Sequence, residues 1–248
     1  MDVRPLQVVK LAIAAAGVAG FVWMLTAGFP RGQAKLYTYG GIAAVVLAYM
    51  GADYLDQRDR RRRVAARLAA LGFEEAPAPE GAVHYTPEKK HHSFGVVLYA
   101  EAQWRGRRSR VADFKYETGH GKANKTWRNF QAAIECPPEW PEMELDPPVG
   151  LASRPISQLF GEKGARTGDE AFDRRWRIRA ADGEGALVLM TPALRAWLLE
   201  SPRKERWCIR GGWLSCTWGR ACDERSAERV LARVAMFLSR AGQPAGAA

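Results

Sequence analysis

Two apolar stretches, residues 11–29 and 36–52, are separated by only six residues, and a dense run of arginines follows them. Nothing else limits the fold of this chain so strongly. A helix rises about 1.5 Å per residue, so a hydrocarbon layer about 30 Å thick takes roughly 20 apolar residues to cross. The first stretch meets that length, with Lys10 at its start, Trp23 in its last third and Phe29 at its end. The second reaches it only when Tyr54 and Leu55 are counted with it. Tyr37, Tyr39 and Tyr54 stand near its two ends, where amphipathic rings favour the headgroup zone. The pair predicts a transmembrane hairpin over residues 1–55. Two buried helices of a soluble protein are the competing reading, and lengths and flanks argue against it. A cleaved signal peptide is argued against too, because its apolar core is only about 7 to 15 residues long.

Charge sets the orientation. The loop between the stretches holds Arg31 and Lys35, whereas Arg58, Arg60, Arg61, Arg62, Arg63 and Arg67 follow the second. Short cytoplasmic flanks carry the excess of Lys and Arg. Both termini are therefore expected in the cytoplasm, in a multi-pass protein of an inner or plasma membrane. The formal net charge is +10, and residues 1–63, with nine basic and four acidic residues, supply half of it. A nucleic-acid binder would concentrate charge on its folded domain, so that partner class is disfavoured. Anionic lipid headgroups are the better match for the membrane-proximal Arg58, Arg60, Arg61, Arg62 and Arg63, although arginines so placed also serve simply to set topology.

Residues 56–81 read as a basic juxtamembrane helix, with Val64, Leu68 and Leu71 at helical spacing and Gly72 at its end, followed by a stiff linker containing Pro77 and Pro79. Residues 82–242 then make one domain, and 243–248 a disordered tail. The domain begins with period-two alternation over 94–104, 110–118 and 126–136, a turn at Gly106, and a proline-rich edge strand or extended loop over 139–148. A short helix is expected at 156–160 and a strand over 172–179. Thr191 and Pro192 are an N-cap and first-turn proline for a helix carrying Leu194, Trp197 and Leu198. Gly211 and Gly212 form a two-residue hairpin turn that sets Trp207 opposite Cys216 and places Cys208 and Cys216 on opposite faces. A final helix starts at Asp223 and Glu224, buries Ala227, Val230, Leu231, Val234, Phe237 and Leu238 as one stripe, and stops at Gly242. The fold class is α+β: a two-helix transmembrane hairpin, then a mostly antiparallel sheet with packed helices, the C-terminal helix last.

The run from Val111 to Lys122, within it a Y-x-T-G-x-G-K pattern at Tyr116, Thr118, Gly119, Gly121 and Lys122, is followed by Phe172, Asp173, Arg174, Arg175, Trp176, Arg177, Ile178 and Arg179 and then by Leu189 to Pro192. In these motifs the chain resembles a family of uncharacterised bacterial membrane proteins, with His120 and Lys115 as departures. The resemblance implies two N-terminal spans and one soluble domain, and it carries no activity.

Candidate chemistry is sparse. Thr118 to Lys122 has glycines and a lysine that could meet a phosphate, but the spacing and the following strand are wrong for a P-loop. What remains is a basic hairpin loop in which His120, Lys122, Lys125 and Arg128 cup an anion. His84, His91 and His92 lack carboxylate or cysteine neighbours at ligand spacing, and Lys89 and Lys90 repel a cation, so no metal is expected. The four cysteines, Cys136, Cys208, Cys216 and Cys222, form no CxxC pair. Cys222 is the one thiol with an argument for catalysis, because it precedes a helix N-terminus whose dipole favours thiolate. No cofactor fingerprint appears. The sequence therefore points to a membrane-anchored interaction or scaffold module that binds an anionic ligand, a lipid headgroup or a partner protein. A membrane-tethered enzyme, thiol-based or phosphate-handling, is the alternative.

Overall fold

A computed structural model of the chain describes residues 5–26, 31–83, 91–118, 125–147, 164–201, 205–219 and 222–241. The chain divides into two compact units, Met1–Arg63 and Val64–Ala248. The expected helix at 156–160, the stop at Gly242 and the tail 243–248 lie outside the described residues.

In the first unit α1 (Pro5–Thr26) meets α2 (Arg31–Ala70) at Gly17 and Val45. The separate loop expected through Lys35 is shorter than that, because α2 is already helical from Arg31; after Pro30 only Gly32 opposes a helix, and Gln33, Ala34, Lys35 and Leu36 are good helix formers. The two helices approach through small residues. A Cβ added at Gly17 would lie 3.0 Å from both Val45 methyls, and Ile13, Gly17, Gly41 and Val45 are the half-buried positions around this seam. Away from it apolar side chains are open, with Val18, Trp23, Leu47 and Met50 all more than 60% exposed. Counted over the described residues alone, no helix is long and apolar enough to cross a membrane.

The second unit is an eight-stranded, wholly antiparallel sheet in the order β1-β2-β3-β4-β8-β7-β5-β6, with helices packed on it. It opens with the end of α2, where Gly72 at φ 84° lets Phe73 N–H bond back to Leu68 O at 2.9 Å and Gly72 N–H to Ala69 O at 2.9 Å. This glycine cap turns the chain back so that Phe73 packs on the residue that it hydrogen-bonds. Val64, Leu68 and Phe73 thereby join the main core. The segment expected to be a free linker is part of the domain as well. β1 (Glu74–Glu75) pairs with β2 (His91–Trp104), and Ala76, Ala78, Ala82 and Val83 pack on Tyr99, Ala112, Phe114 and Tyr116. The prolines stiffen this wrap; they do not detach it.

β2 and β3 (Arg107–Thr118) are joined by a two-residue turn at Arg105 (φ 52°) and Gly106 (φ 77°), and β4 (Lys125–Glu135) follows β3 in register. β5 (Met143–Asp146) is a correction to the expected edge strand or loop: it pairs with β6 (Arg177–Ala180) on one side and β7 (Glu205–Arg210) on the other. Its prolines flank the four paired residues and leave their N–H groups free to donate. The expected strand over 172–179 is also shorter. Asp169 caps a helix, α3 (Glu170–Arg175), by accepting from Ala171 and Phe172 N–H, and Asp173 accepts from Thr167 and Gly168 N–H. Extended backbone begins only at Arg177. A further helix that the sequence reading lacked, α4 (Gly183–Leu189), is capped by Asp182.

Three expectations hold in detail. α5 (Pro192–Leu199) is capped by Thr191, whose hydroxyl also donates to Arg240 O at 2.7 Å and so ties two helix ends together. The β7–β8 hairpin turns at Gly211 and Gly212, with β8 (Trp213–Trp218) set so that Trp207 faces Cys216. α6 (Glu224–Arg240) carries a reciprocal Asp223–Ser226 cap, and Ala227, Val230, Leu231, Val234 and Phe237 on its inner stripe are fully buried against the sheet.

Candidate functional site

The basic loop is the first candidate, and the described residues divide it. His120 and Lys122 lie outside them. Lys125 and Arg128 are on β4, paired with Thr118 and Lys115. Three residues apart on a strand, they face opposite sides of the sheet, so these two do not cup one anion. Lys125 Nζ sits 4.0 Å from the centroid of the Trp127 ring, which stacks on Tyr116 with centroids 6.4 Å apart and donates to Thr118 Oγ1 at 2.9 Å. Tyr116 and Thr118 of the motif, with Trp127 of β4, thus serve an aromatic strand pair.

Cys222, the candidate nucleophile, is fully buried within the main core. Ser226 Oγ approaches its sulfur at 3.8 Å, and the thiol donates to Asp223 O at 3.5 Å. Electrophiles in solvent have no path to it while the core is closed. Burial pushes the Cys136 thiol up to about 11 and Cys208 to about 12, and holds fully buried Cys216 well above the usual thiol range. None of the four buried cysteines is in a disulfide. Among the described residues no group of three or more His, Cys, Asp or Glu is placed to hold a metal ion.

The strongest electrostatic centre is one the sequence reading missed. Glu205, at the start of β7, is 0% exposed, and Arg233 from α6 reaches it twice. Arg233 Nη2 donates to Oε2 at 2.8 Å, while Nε and Oε1 lie 2.5 Å apart. Nη2 also donates to Ser201 Oγ, the guanidinium lies 4.3 Å from the Trp197 ring centroid, and Arg175 donates to Ser201 O. Burial raises the Glu205 carboxyl above the ordinary range, and Arg233 opposes that rise. This cluster joins the end of α5, the start of β7 and the middle of α6. It is enclosed, so its role is to hold elements in place. Period-two alternation was the available signal: Glu205 shares a face with Trp207 and Ile209, a placement that demands a buried cation.

Arg58, Arg60, Arg61, Arg62 and Arg63, expected to be membrane-proximal, are helical residues of α2, with Arg60 half-buried and the others exposed. A second arginine group, assembled from distant sequence, lies on the sheet unit: Arg67 of α2 with Arg225 and Arg229 of α6, around a groove of about 550 Å³. No family model, curated protein or solved structure matches the chain.

Proposed function

We propose that the chain is a membrane-anchored, cytoplasm-facing interaction or scaffold module of a bacterial inner membrane, held by a two-helix hairpin and meeting anionic ligands through arginine. The observation that carries this reading is the seam at Gly17 and Val45. Among the described residues the two helices touch at Gly17 and Val45 and leave Val18, Trp23, Leu47 and Met50 uncovered, which water penalises and lipid does not. α1 is helical over 22 residues, about 33 Å, with Lys10 as its one charged residue. Arg58 to Arg63 then fall on the cytoplasmic side by the positive-inside rule. The family resemblance carried by the Tyr116 to Lys122 and Phe172 to Arg179 motifs points the same way. A thiol-based reaction at Cys222 would need the core to open first, so binding is the preferred role.

Cysteine labelling tests the topology. A membrane-impermeant reagent added to whole cells is expected to reach a cysteine placed at Gly32 and to leave one placed at Ala248 unlabelled until the cells are broken. The reverse pattern, or equal labelling of both, would overturn the orientation.

A further inference from the structure

The sheet unit carries three guanidinium groups around one open groove. Arg67, in the last full turn of α2, pairs with Glu228 at 2.5 Å, and both remain about half exposed. Arg225 and Arg229 stand one turn apart on the exposed side of α6, and among the described residues neither has a carboxylate partner. The Arg229 guanidinium lies 6.0 Å from the Trp218 ring centroid. Ala232 closes the lining, and its small side chain leaves a space of about 550 Å³.

This arrangement works against the helix that carries it. Arg225 and Arg229, four residues apart, repel one another, and each opposes the helix dipole that Asp223 and Glu224 complement. Glu228, the nearest carboxylate in the lining, is already engaged by Arg67, so three cations against one anion leave the groove with an excess of two positive charges. Guanidinium forks match phosphate oxygens two at a time, which makes a phosphate group the natural counter-charge. Four of the five lining residues are charged, so the groove suits a charged headgroup rather than an acyl chain. Arg67 lies four residues beyond the arginine run that follows the apolar stretches, which favours a lipid source for that phosphate.

We propose that the groove formed by Arg67, Arg225 and Arg229 binds the phosphate of an anionic lipid headgroup. This rests on the membrane-anchored reading and deepens it by naming the ligand class and the residues.

The test uses the full chain purified in neutral detergent, with native mass spectrometry counting retained lipid. The probes are dioleoylphosphatidylglycerol, dioleoylphosphatidylcholine and inorganic phosphate. The wild-type chain is expected to hold at least one phosphatidylglycerol about tenfold more tightly than phosphatidylcholine. The R225Q/R229Q variant should lose that one molecule, R225K/R229K should keep it at low salt, and R174Q, an exposed arginine paired with Glu170, should behave as wild type. Thermal melts of all variants within a degree or two of wild type would show that the fold is intact. The same number and affinity of phosphatidylglycerol in wild type and R225Q/R229Q would overturn the proposal, as would an equal loss in R174Q. Loss of inorganic phosphate binding in R225Q/R229Q with unchanged lipid retention would assign the groove to free phosphate and overturn the lipid source. Failure of the anchor would be seen separately, as a full chain that washes off membranes.

Discussion

The two units of this chain dispose of their apolar side chains in opposite ways. In the sheet unit Phe114, Phe130, Phe172, Phe237 and Trp207 face inward and are all 2% exposed or less. In the hairpin Val18, Trp23, Leu47 and Met50 face outward, each above 60% exposed. Both units are built from ordinary helix and strand formers, so propensity does not separate them. What differs is where the large apolar side chains point: into the sheet unit, and away from the hairpin. A fold stable in water should tolerate polar changes on its exposed positions and fail when its core is cut, whereas a hairpin in lipid should respond the other way round.

The largest expected effect comes from moving the cut between the units. A chain of residues 64–248 should fold, because Val64, Leu68 and Phe73 remain. A chain of residues 74–248 loses all three, roughly 5–9 kcal/mol of burial, which approaches the whole net stability of about 5–15 kcal/mol of a typical domain. Circular dichroism and thermal melting should show a cooperative transition for the first and none for the second. Equal melts would mean that the end of α2 is dispensable to the core.

Next in size is the buried ion pair. Arg233→Met leaves the Glu205 charge without its partner and should cost about 3–5 kcal/mol, while replacing both residues with apolar ones should recover most of that. The pH dependence has a definite sign. With the opposing cation gone, the folded carboxyl is raised further above the unfolded one, so the folded state binds the extra proton and its stability falls as pH rises above the ordinary carboxylate range. Denaturant melts should therefore show a deficit of R233M against wild type that widens with pH. A deficit that narrows would contradict the assignment of Glu205 as the desolvated partner.

A smaller effect sharpens the comparison from the hairpin side. Val18→Arg changes an exposed residue and would be nearly neutral, within about 0.5 kcal/mol, on a water-soluble surface. At the middle of a spanning helix the same change opposes insertion by about 3 kcal/mol. Reduced membrane recovery of V18R beside unchanged recovery of R174Q is the expected outcome, and equal recovery would remove the contrast.

Smallest is the response of the thiols. At pH 8 a soluble disulfide reagent should find none of the four native cysteines within minutes and all four in denaturant, since all are buried and three have raised thiol values. Rapid reaction of Cys222 in the native chain would reopen the case for a catalytic thiol.

Much of this fold was legible from local pattern. Gly211 with Gly212, Thr191 with Pro192, and the stripe from Ala227 to Phe237 are each written within one turn or one helix, and each lies where it was expected. Expectations went astray where a polar residue had two uses. Asp173 read as a solvent-facing strand position, yet it closes a loop onto Thr167 and Gly168. Pro77 and Pro79 read as a linker, yet the neighbouring alanines pack on Tyr99 and Phe114. The arginine groove could not be read at all, because Arg67 and Arg225 are brought together only when α2 and α6 pack on the same sheet.

The hairpin is proposed to lie in lipid, and washing tests this directly. Cells expressing the full chain and the chain of residues 64–248 can be broken and their membranes washed with alkaline carbonate, which strips peripheral proteins and leaves spanning ones. The full chain is expected in the washed membranes and the shorter chain in the soluble fraction. A full chain that leaves the membranes in carbonate, folded and free of aggregates, would contradict it.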